Sequence, residues 1–420
     1  MRPSIHARYL HHPWRLILVF LSFMVSAVAP ANAESFLWDA VDGNDLGKAK
    51  TLITFGADVN YKNVRGYSVL DLAVSKNNPE MVELLIAKGA DVNSKTEHDY
   101  TPLHGAFRKD IAEILLTHGA QVNAKTDHGQ TPLDIVASGG QTMLNPTEKQ
   151  LLEVAKLLID HGASIGSALD YAAYNDDVQM ATLLIAHGAP IKGKGVQPLI
   201  GAVSHGDYLK VAQLLVEKGA NVNLPDIYGN HPLSAAAMVC NLKGVDFLIS
   251  NGANPNTQDG AGLTAPLYFA ASSDYCETTT EYLLNHGAQV DIRTFAGRTA
   301  LHQAVSQRAI KIIEVLFAHN ADPNARDNYD YSPLNLAIQY GQLDLAKLLI
   351  EHGANVNMGT GRDEETPLQQ ATCTHNIGLV KLLIAHGAEI NAVSKTGMTS
   401  LLCARGQNDL TDFLLEHGAH

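Results

Sequence analysis

A short motif recurs along this chain at nearly constant intervals. It reads GADVN at 56–60 and 89–93, GAQVN at 119–123, GANVN at 219–223 and 353–357, and GAEIN at 387–391. A second motif of the type Thr-Pro-Leu, seen at 101–103, 131–133 and 366–368, is interleaved with the first. Self-similarity at a fixed period indicates a stack of similar units, because each such unit buries its apolar face only against its neighbours.

The leucine of the second motif counts the units. It stands at positions 37, 70, 103, 133, 169, 199, 233, 267, 301, 334, 368 and 401, so twelve units fill the chain from about residue 34 to residue 420. A Thr or Ser before Pro-Leu supplies an N-cap oxygen, and proline suits the first helical position. A second helix with apolar spacing follows, as at 379–384, and ends at a glycine suited to a left-handed cap.

Together the two motifs resemble the ankyrin repeat, which has a Thr-Pro-Leu-His type of helix start at a period of about 33 residues. The resemblance covers residues 35–420. It implies an all-α solenoid of about twelve repeats, each a helix-turn-helix followed by a β-hairpin finger, in a single domain over 34–420. It also implies a protein partner, held by the finger tips and by the groove that the first helices form.

The first 33 residues differ from the repeats. Arg2, Arg8 and Arg15 precede an apolar run at 16–29, and Ala31-Asn32-Ala33 follows it. This order predicts a signal peptide at 1–33, cleaved after Ala33. An uncleaved anchor is the alternative, although the apolar run of 14 residues is shorter than the roughly 20 needed to span a bilayer. We therefore expect an exported protein without a stable membrane anchor, in the bacterial periplasm or secreted beyond it.

The charge limits the class of partner. The chain has 30 Lys and Arg against 43 Asp and Glu, a formal net charge of −13. Duplex nucleic acid and anionic membranes both bind basic surfaces, so neither is expected as the main partner.

The regular pattern breaks in the middle of the chain. The fourth unit carries about ten extra residues near 138–150, after which Thr147 and Gln150 have the spacing of a capping box. One finger is missing after Gly162, and the next, after Gly188, is shortened. Neutral variation in a tolerant loop and a bend or pocket for a partner both fit this pattern.

Candidate catalytic and metal motifs are weak. The GASIG string at 162–166 matches G-x-S-x-G but follows a helix, and the run at 188–194 resembles a phosphate-binding loop without its Ser or Thr. Eight histidines precede the glycine caps, one per unit, and so do not form a cluster: His118, His161, His187, His286, His319, His352, His386 and His417. The sequence therefore predicts no enzyme, no cofactor and no metal site.

The four cysteines lie in neighbouring pairs of units. Cys240 and Cys276 occupy similar places in units seven and eight, and Cys373 and Cys403 lie in the last two units. An oxidising compartment favours disulfides, so we predict a bridge between Cys240 and Cys276, with Cys373–Cys403 as a weaker candidate. The alternative is that each cysteine is a small buried residue in helix packing.

Aromatic residues gather at the predicted finger tips. The chain is only 6% aromatic, and exposed Tyr and Arg are common anchors of interfaces. Bracing of adjacent fingers is the alternative role. The predicted partner-binding residues, which fall on both sides of the interrupted fingers, are Tyr67, His98, Tyr100, Ile227, Tyr228, Phe295, Arg298, Tyr329 and Tyr331.

Overall fold

The computed structural model describes residues 30–140, 146–191, 198–205, 208–260 and 264–420, with side chains from residue 34 onward. Most of the predicted signal peptide, residues 141–145 of the insertion and residues 192–194 of the phosphate-loop-like run lie outside the described residues. Residues 30–33 belong to a helix, Pro30–Asp42. Among the helices that are described, none combines the length and the apolar character needed to cross a bilayer.

The described residues form twelve helix pairs, numbered here as repeats 1 to 12. The first helices are Pro30–Asp42, Val69–Ser75, Pro102–Gly105, Pro132–Ala137, Ala168–Tyr174, Pro198–Ser204, Pro232–Met238, Pro266–Ala270, Ala300–Gln307, Pro333–Gln339, Pro367–Cys373 and Ser400–Cys403. The second helices are Leu46–Thr54, Pro79–Ala87, Lys109–Thr117, Glu148–Asp160, Val178–Ala186, Lys210–Glu217, Leu242–Ser250, Glu277–Asn285, Ile310–Ala318, Leu343–Glu351, Ile377–Ala385 and Asn408–Glu416.

Two helices depart from the common pattern. The first helix of repeat 3 is a 3₁₀ helix, because this repeat has fewer residues between its leucine and its glycine. In repeat 8 a short 3₁₀ helix, Asp274–Cys276, precedes the second helix. The longer second helix of repeat 4 starts at the predicted capping box, in which Thr147 and Gln150 bond to each other's backbone N–H.

Local sequence accounts for where the helices begin and end. Ser332 accepts a bond from the backbone N–H of Asn335, whose side chain accepts one from the backbone of Ser332, and these bonds satisfy amide groups at the helix start. Each second helix is followed by a residue in the left-handed region, usually glycine, such as Gly353 with φ of 91°. Eleven of the twelve motif leucines are at most 2% exposed, and Leu401 is half-buried.

The chain divides into two compact units. Unit 1 comprises residues 1–172 and 179–189, and unit 2 comprises residues 173–178 and 190–420. Within each unit, first helices pack on the first helices of adjacent repeats, and second helices pack on second helices. A single domain over 34–420 stays a prediction.

In eight of the twelve repeats one asparagine ties that repeat to the next. Asn324, the last residue of its copy of the first motif, donates from Nδ2 to the carbonyl of Gly353 at 3.1 Å and accepts at Oδ1 from the backbone N–H of Asn355 at 2.8 Å. Both of its partners lie at the left-handed cap of the following repeat. The same pair of bonds is made by Asn60, Asn93, Asn123, Asn223, Asn256, Asn357 and Asn391.

Asp291 stands where these eight repeats have the asparagine, and the corresponding residue is Gly166 in repeat 4 and Lys192 in repeat 5. Asp291 accepts from the backbone N–H of Asp322 at 3.2 Å, but an ionised carboxylate has no proton to donate to the carbonyl at the cap, here that of Asn320. Burial raises the pKa of Asp291, and the Asp322 charge adds to this effect. The ionised form is therefore disfavoured in the folded protein.

We predict that Asp291→Asn raises the free energy of unfolding at pH 7 by about 1 kcal/mol, the usual net value of one added hydrogen bond. The folded pKa lies above the unfolded value, so the penalty of Asp291 develops as pH rises through the folded pKa. The gain should therefore shrink as pH falls toward 4. Urea unfolding at several pH values measures it. The reverse change, Asn256→Asp, should destabilise, and an Asp291→Asn variant no more stable than the wild type at pH 7 would contradict the prediction.

Candidate protein-binding surface

The segment that joins each second helix to the next first helix contains a tight turn of five or six residues, such as 327–331 or 360–365, and this turn is called a finger here. In seven of the described fingers the first residue donates its backbone N–H to the carbonyl four residues later, as Asp327 does to Tyr331 at 2.9 Å. The side chain of that first residue also bonds inside the finger. Asp327, whose side chain is fully buried, accepts from the backbone N–H groups of Tyr329 and Tyr331 at 2.9 and 3.0 Å.

The expected β-hairpin form of the fingers is wrong. Within the described residues the fingers and the residues beside them form only isolated bridges, between Lys62 and Ser68, Asp259 and Thr264, and Thr360 and Glu365. The reason is that a side chain at the finger base accepts amide bonds that strand pairing would otherwise satisfy. In the part of the chain that the structure describes, these seven fingers are therefore closed turns and not pairs of strands.

Adjacent fingers are bonded to one another through the main chain. Asn328 donates its backbone N–H to the carbonyl of Ala296 at 2.9 Å and its side-chain amide to that of Phe295 at 2.8 Å. In unit 1, Asp127 donates its backbone N–H to the carbonyl of His98 at 3.2 Å. The fingers of each unit thus form a connected row whose tips have little conformational freedom to lose on binding.

Six of the nine predicted binding residues are exposed. Tyr228, Phe295 and Tyr329 are 76%, 71% and 70% exposed, so the tips of unit 2 present rings that pack on little of the chain. The other exposed members are Tyr67, His98 and Ile227. Tyr67, His98 and Tyr100 belong to unit 1, whereas the rest of the predicted set belongs to unit 2.

The remaining three, Tyr100, Arg298 and Tyr331, are half-buried. The Tyr100 ring lies 5.4 Å from that of His104, and burial raises the pKa of Tyr100. Arg298 pairs with the buried Asp327 at 3.3 Å, and the carbonyl of Tyr331 lies 3.0 Å from Nε2 of His302. The contacts of Arg298 and Tyr331 join adjacent repeats, as expected if such residues brace adjacent fingers, whereas that of Tyr100 lies within one repeat.

Two further surface residues were not predicted from the sequence. Val393, which directly precedes the finger between repeats 11 and 12, is 65% exposed. Tyr171, on the first helix of repeat 5, lies in the predicted groove and accepts a bond from Gln130 at 2.9 Å. Aligning the residue that precedes each finger, and the second residue after each motif leucine, would have identified both positions.

The eight cap histidines have a local role where their bonds are seen. His352 donates from Nδ1 to the carbonyl of Leu348, four residues earlier, at 2.9 Å. His118, His161, His187, His286 and His417 do the same. The ring thereby satisfies a carbonyl at the end of the helix. Among the described residues no group of three His, Cys, Asp or Glu could hold a metal ion.

The GASIG string at 162–166 takes part in the asparagine bonds between repeats, since the backbone N–H of Ser164 donates to Oδ1 of Asn123. A serine, a histidine and an aspartate also meet in repeat 7, where Ser234 and His231 both bond to Oδ1 of Asp259, at 2.9 and 2.7 Å. Both side chains share one acceptor, which differs from a catalytic triad, in which serine bonds to histidine.

Both cysteine pairs are bonded in the structure. The Cα atoms of Cys240 and Cys276 are 5.0 Å apart, and those of Cys373 and Cys403 are 4.6 Å apart. Both distances lie within the range that a disulfide spans. Both bridges lie where first and second helices join, and each links two adjacent repeats.

A family model described as "Ankyrin repeats (3 copies)" matches residues 37–126, 147–226, 169–259, 233–327, 267–360 and 334–420. The chain belongs to the ankyrin-repeat family. Ankyrin repeats indicate a scaffold for protein–protein interaction, which agrees with the exposed finger tips. The expected all-helical repeat fold is confirmed, with six matches of the three-copy model, of which the last five overlap in sequence, and twelve helix pairs in the described residues.

Known relatives share parts of the repeat array. A putative ankyrin repeat protein of fowlpox virus is 31% identical over 167 residues, which are 38% of this chain and 49% of that protein. A putative ankyrin repeat protein of Rickettsia felis is 39% identical over 133 residues, 29% of this chain and 58% of that protein. The chain thus spans about half the length of each. The crystal structure of the ankyrin repeat domain of Bcl-3 is similar at 27% identity, with 53% of this chain and 100% of that chain covered and a TM-score of 0.48.

Two ankyrin repeats carry a buried histidine in the capping box. In repeat 9, Nδ1 of His302 accepts from the backbone N–H of Thr299 at 3.2 Å, and Nε2 donates to the carbonyl of Tyr331 at 3.0 Å. Burial lowers the pKa of His302 and of His104, its counterpart in repeat 3. Gln369 makes equivalent bonds in repeat 11, at 2.8 Å to each of its partners.

We predict that His302→Gln weakens the pH dependence of stability. A histidine with a lowered folded pKa stabilises the fold fully above its unfolded pKa, near 6.5, and this stability is lost as pH falls below that value. At pH 7 the free energy of unfolding of the variant should lie within about 1 kcal/mol of the wild-type value. Between pH 7 and pH 5 it should fall less than that of the wild type, as measured by urea unfolding. His375→Asn, at an exposed left-handed position, is the control. Equal losses in wild type and His302→Gln would refute the prediction.

Proposed function

We propose that this ankyrin protein is a non-catalytic scaffold that binds or inhibits a protein partner through its fingers. The observation that carries the proposal is the set of exposed aromatic tips on a hydrogen-bonded finger row in unit 2, at Tyr228, Phe295 and Tyr329. Aromatic side chains held in place before binding lose little entropy in the complex. They are also the most frequent energetic anchors of interfaces.

The net charge supports a protein partner of low acidity. The chain carries −13 overall, so it attracts basic surfaces and repels acidic polymers. Half-buried Tyr100 and Tyr331 orient and support the finger row, and they contribute to binding mainly through that support.

We also propose that the protein acts in the bacterial periplasm after removal of residues 1–33. The basic, apolar and small-residue order of that segment and the two cysteine pairs support an oxidising compartment. The alternative is an effector secreted beyond the cell to bind host proteins. The viral and rickettsial relatives are compatible with either.

Tyr228→Ala and Tyr329→Ala should each weaken partner binding by more than about 1 kcal/mol, roughly fivefold in Kd. The melting temperature should stay nearly unchanged, because both rings are exposed. The measurement is calorimetric titration with the partner recovered by affinity capture from native extract. Lys347→Ala, on a second helix and 62% exposed, should change neither quantity. Tyrosine variants that lose stability and keep full affinity would assign the rings a structural role.

Export and oxidation are tested together by mass analysis of protein from a periplasmic extract, alkylated under denaturing conditions. The expected species starts at Glu34 and carries no alkylated thiol. Cys240→Ser should expose one thiol and, since loss of a native disulfide costs about 2–5 kcal/mol, lower stability. Four alkylated thiols would exclude the disulfides, and residues 1–33 retained in a membrane fraction would exclude cleavage. Protein found in the medium instead would favour the effector.

A further inference from the structure

A second exposed apolar surface lies at the opposite ends of the helices from the fingers. In each of repeats 6 to 11, a large apolar side chain is exposed at the last residue of the first helix, in the joining segment or at the first residue of the second helix. These six residues, called the turn edge here, are Tyr208, Met238, Tyr275, Ile310, Tyr340 and Ile377, with exposures of 69%, 57%, 81%, 39%, 52% and 39%. All six belong to unit 2.

The fold does not require apolar residues at these positions. In unit 1 the corresponding segments of repeats 1 to 3 carry Asn44, Lys76 and Arg108, and the first two are exposed. An isolated exposed apolar residue needs no explanation, but a contiguous row of them marks an interaction site.

The size of the turn edge suits a macromolecular contact. Packed helices are about 8–10 Å apart, so six adjacent repeats give a row roughly 50 Å long. With a width of about one helix diameter, roughly 10 Å, the row covers roughly 500 Å² before its flanks are counted. Val239, Leu242 and Leu343, which are 41%, 36% and 43% exposed, widen it. The area approaches the roughly 800 Å² that each partner contributes to a stable interface.

The charges beside the turn edge reverse sign about the boundary between repeats 8 and 9. Repeat 8 contributes two acids and repeat 9 two bases, whereas repeat 7 contributes a base and repeat 10 an acid. The residues, in chain order, are Lys243, Asp274, Glu277, Arg308, Lys311 and Asp344. A two-fold axis at that boundary would place repeat 8 opposite repeat 9, and repeat 7 opposite repeat 10, so that unlike charges face each other.

The apolar residues follow the same symmetry. The axis would set Tyr275 against Ile310, Met238 against Tyr340, and Tyr208 against Ile377, so every apolar side chain would meet another.

Three contacts within the chain hold this surface in place. Lys311 already pairs with Glu277 at 3.1 Å, and Arg308 pairs with Asp344 at 3.0 Å. These pairs are exposed and therefore weak, so their charges can also be shared with a facing molecule. The Cys240–Cys276 bridge ties the turn of repeat 7 to that of repeat 8, which limits the freedom of Met238 and Tyr275 before contact.

We propose that the turn edge is the interface of an antiparallel homodimer, with its two-fold axis at the boundary of repeats 8 and 9. A second copy of this chain is the occupant that the antisymmetric charges favour. The fingers lie at the other ends of the helices and stay free, so the dimer presents two binding rows. The proposal goes beyond the proposed function and does not depend on it.

The test is sedimentation equilibrium of the purified full chain between 1 and about 100 μM, within the range where interfaces of this size associate. Wild type should be a dimer. Tyr275→Glu should raise the dimer Kd at least tenfold and leave the melting temperature unchanged. Tyr329→Glu, an equally accessible tyrosine on a finger tip, should leave dimerisation intact.

Charge reversal tests the position of the axis. Lys243→Glu alone and Asp344→Lys alone should each weaken the homodimer, because like charges then face each other twice. An equimolar mixture of the two variants should recover the wild-type Kd, because each reversed charge then faces an opposite one. The double variant should recover it as well.

Three outcomes would overturn the proposal. They are a monomer throughout the concentration range, a dimer that Tyr275→Glu does not weaken, and single charge variants whose mixture stays as weak as either alone. Flotation with neutral phosphatidylcholine vesicles tests the alternative occupant, a lipid surface. If the wild type is a monomer that floats with the vesicles and the Tyr275→Glu variant does not float, the turn edge binds a lipid surface instead.

Discussion

The stacking of each repeat on its neighbour is the constraint on which the rest of the structure depends. A single helix pair cannot bury its apolar face, so each repeat needs a neighbour at a defined distance and rotation. The two bonds of an asparagine such as Asn324 set that geometry, because they join a cap carbonyl and a cap N–H that have no partner within their own helix. A carboxylate at this position keeps only the accepting half, as Asp291 shows.

In the fingers, too, a side chain bonds to backbone groups that have no other partner. Backbone amide groups in a short turn need partners, and a side chain at the finger base supplies them. In Asp327 the acceptor is a fully buried carboxylate, so its position is fixed by the repeat core and not by solvent. These bonds hold the backbone of the finger tips, so exposed rings such as those of Tyr228 and Tyr329 are attached to an ordered backbone. Exposed rings and backbone order therefore occur together in one turn of about five residues, the segment that we propose binds a partner.

The fingers and the turn edge of unit 2 carry different side chains because helix packing constrains neither surface. Helix packing constrains the buried faces of each repeat but leaves the fingers and the helix-joining turns open to variation. The fingers of unit 2 carry aromatic tips, and its turns carry the apolar row that includes Met238 and Tyr275. Charged pairs such as Lys311 with Glu277 accompany the second row. The two proposals are therefore compatible, since a partner at the fingers and a second copy at the turn edge would contact different surfaces.

The sequence alone determined the period, the number of helix pairs, the motif leucines of the core and the caps, because these depend on residues close together in the chain. It also identified the finger positions and the cysteine pairs. Only the tertiary structure decided which predicted residues are exposed. Arg298 and Tyr331 are half-buried because Arg298 contacts Asp327 of the next finger and Tyr331 contacts His302 of the preceding repeat, and each contact joins residues about thirty positions apart. The turn edge was found the same way, since its members are unremarkable within each repeat and form a surface only when the repeats stack.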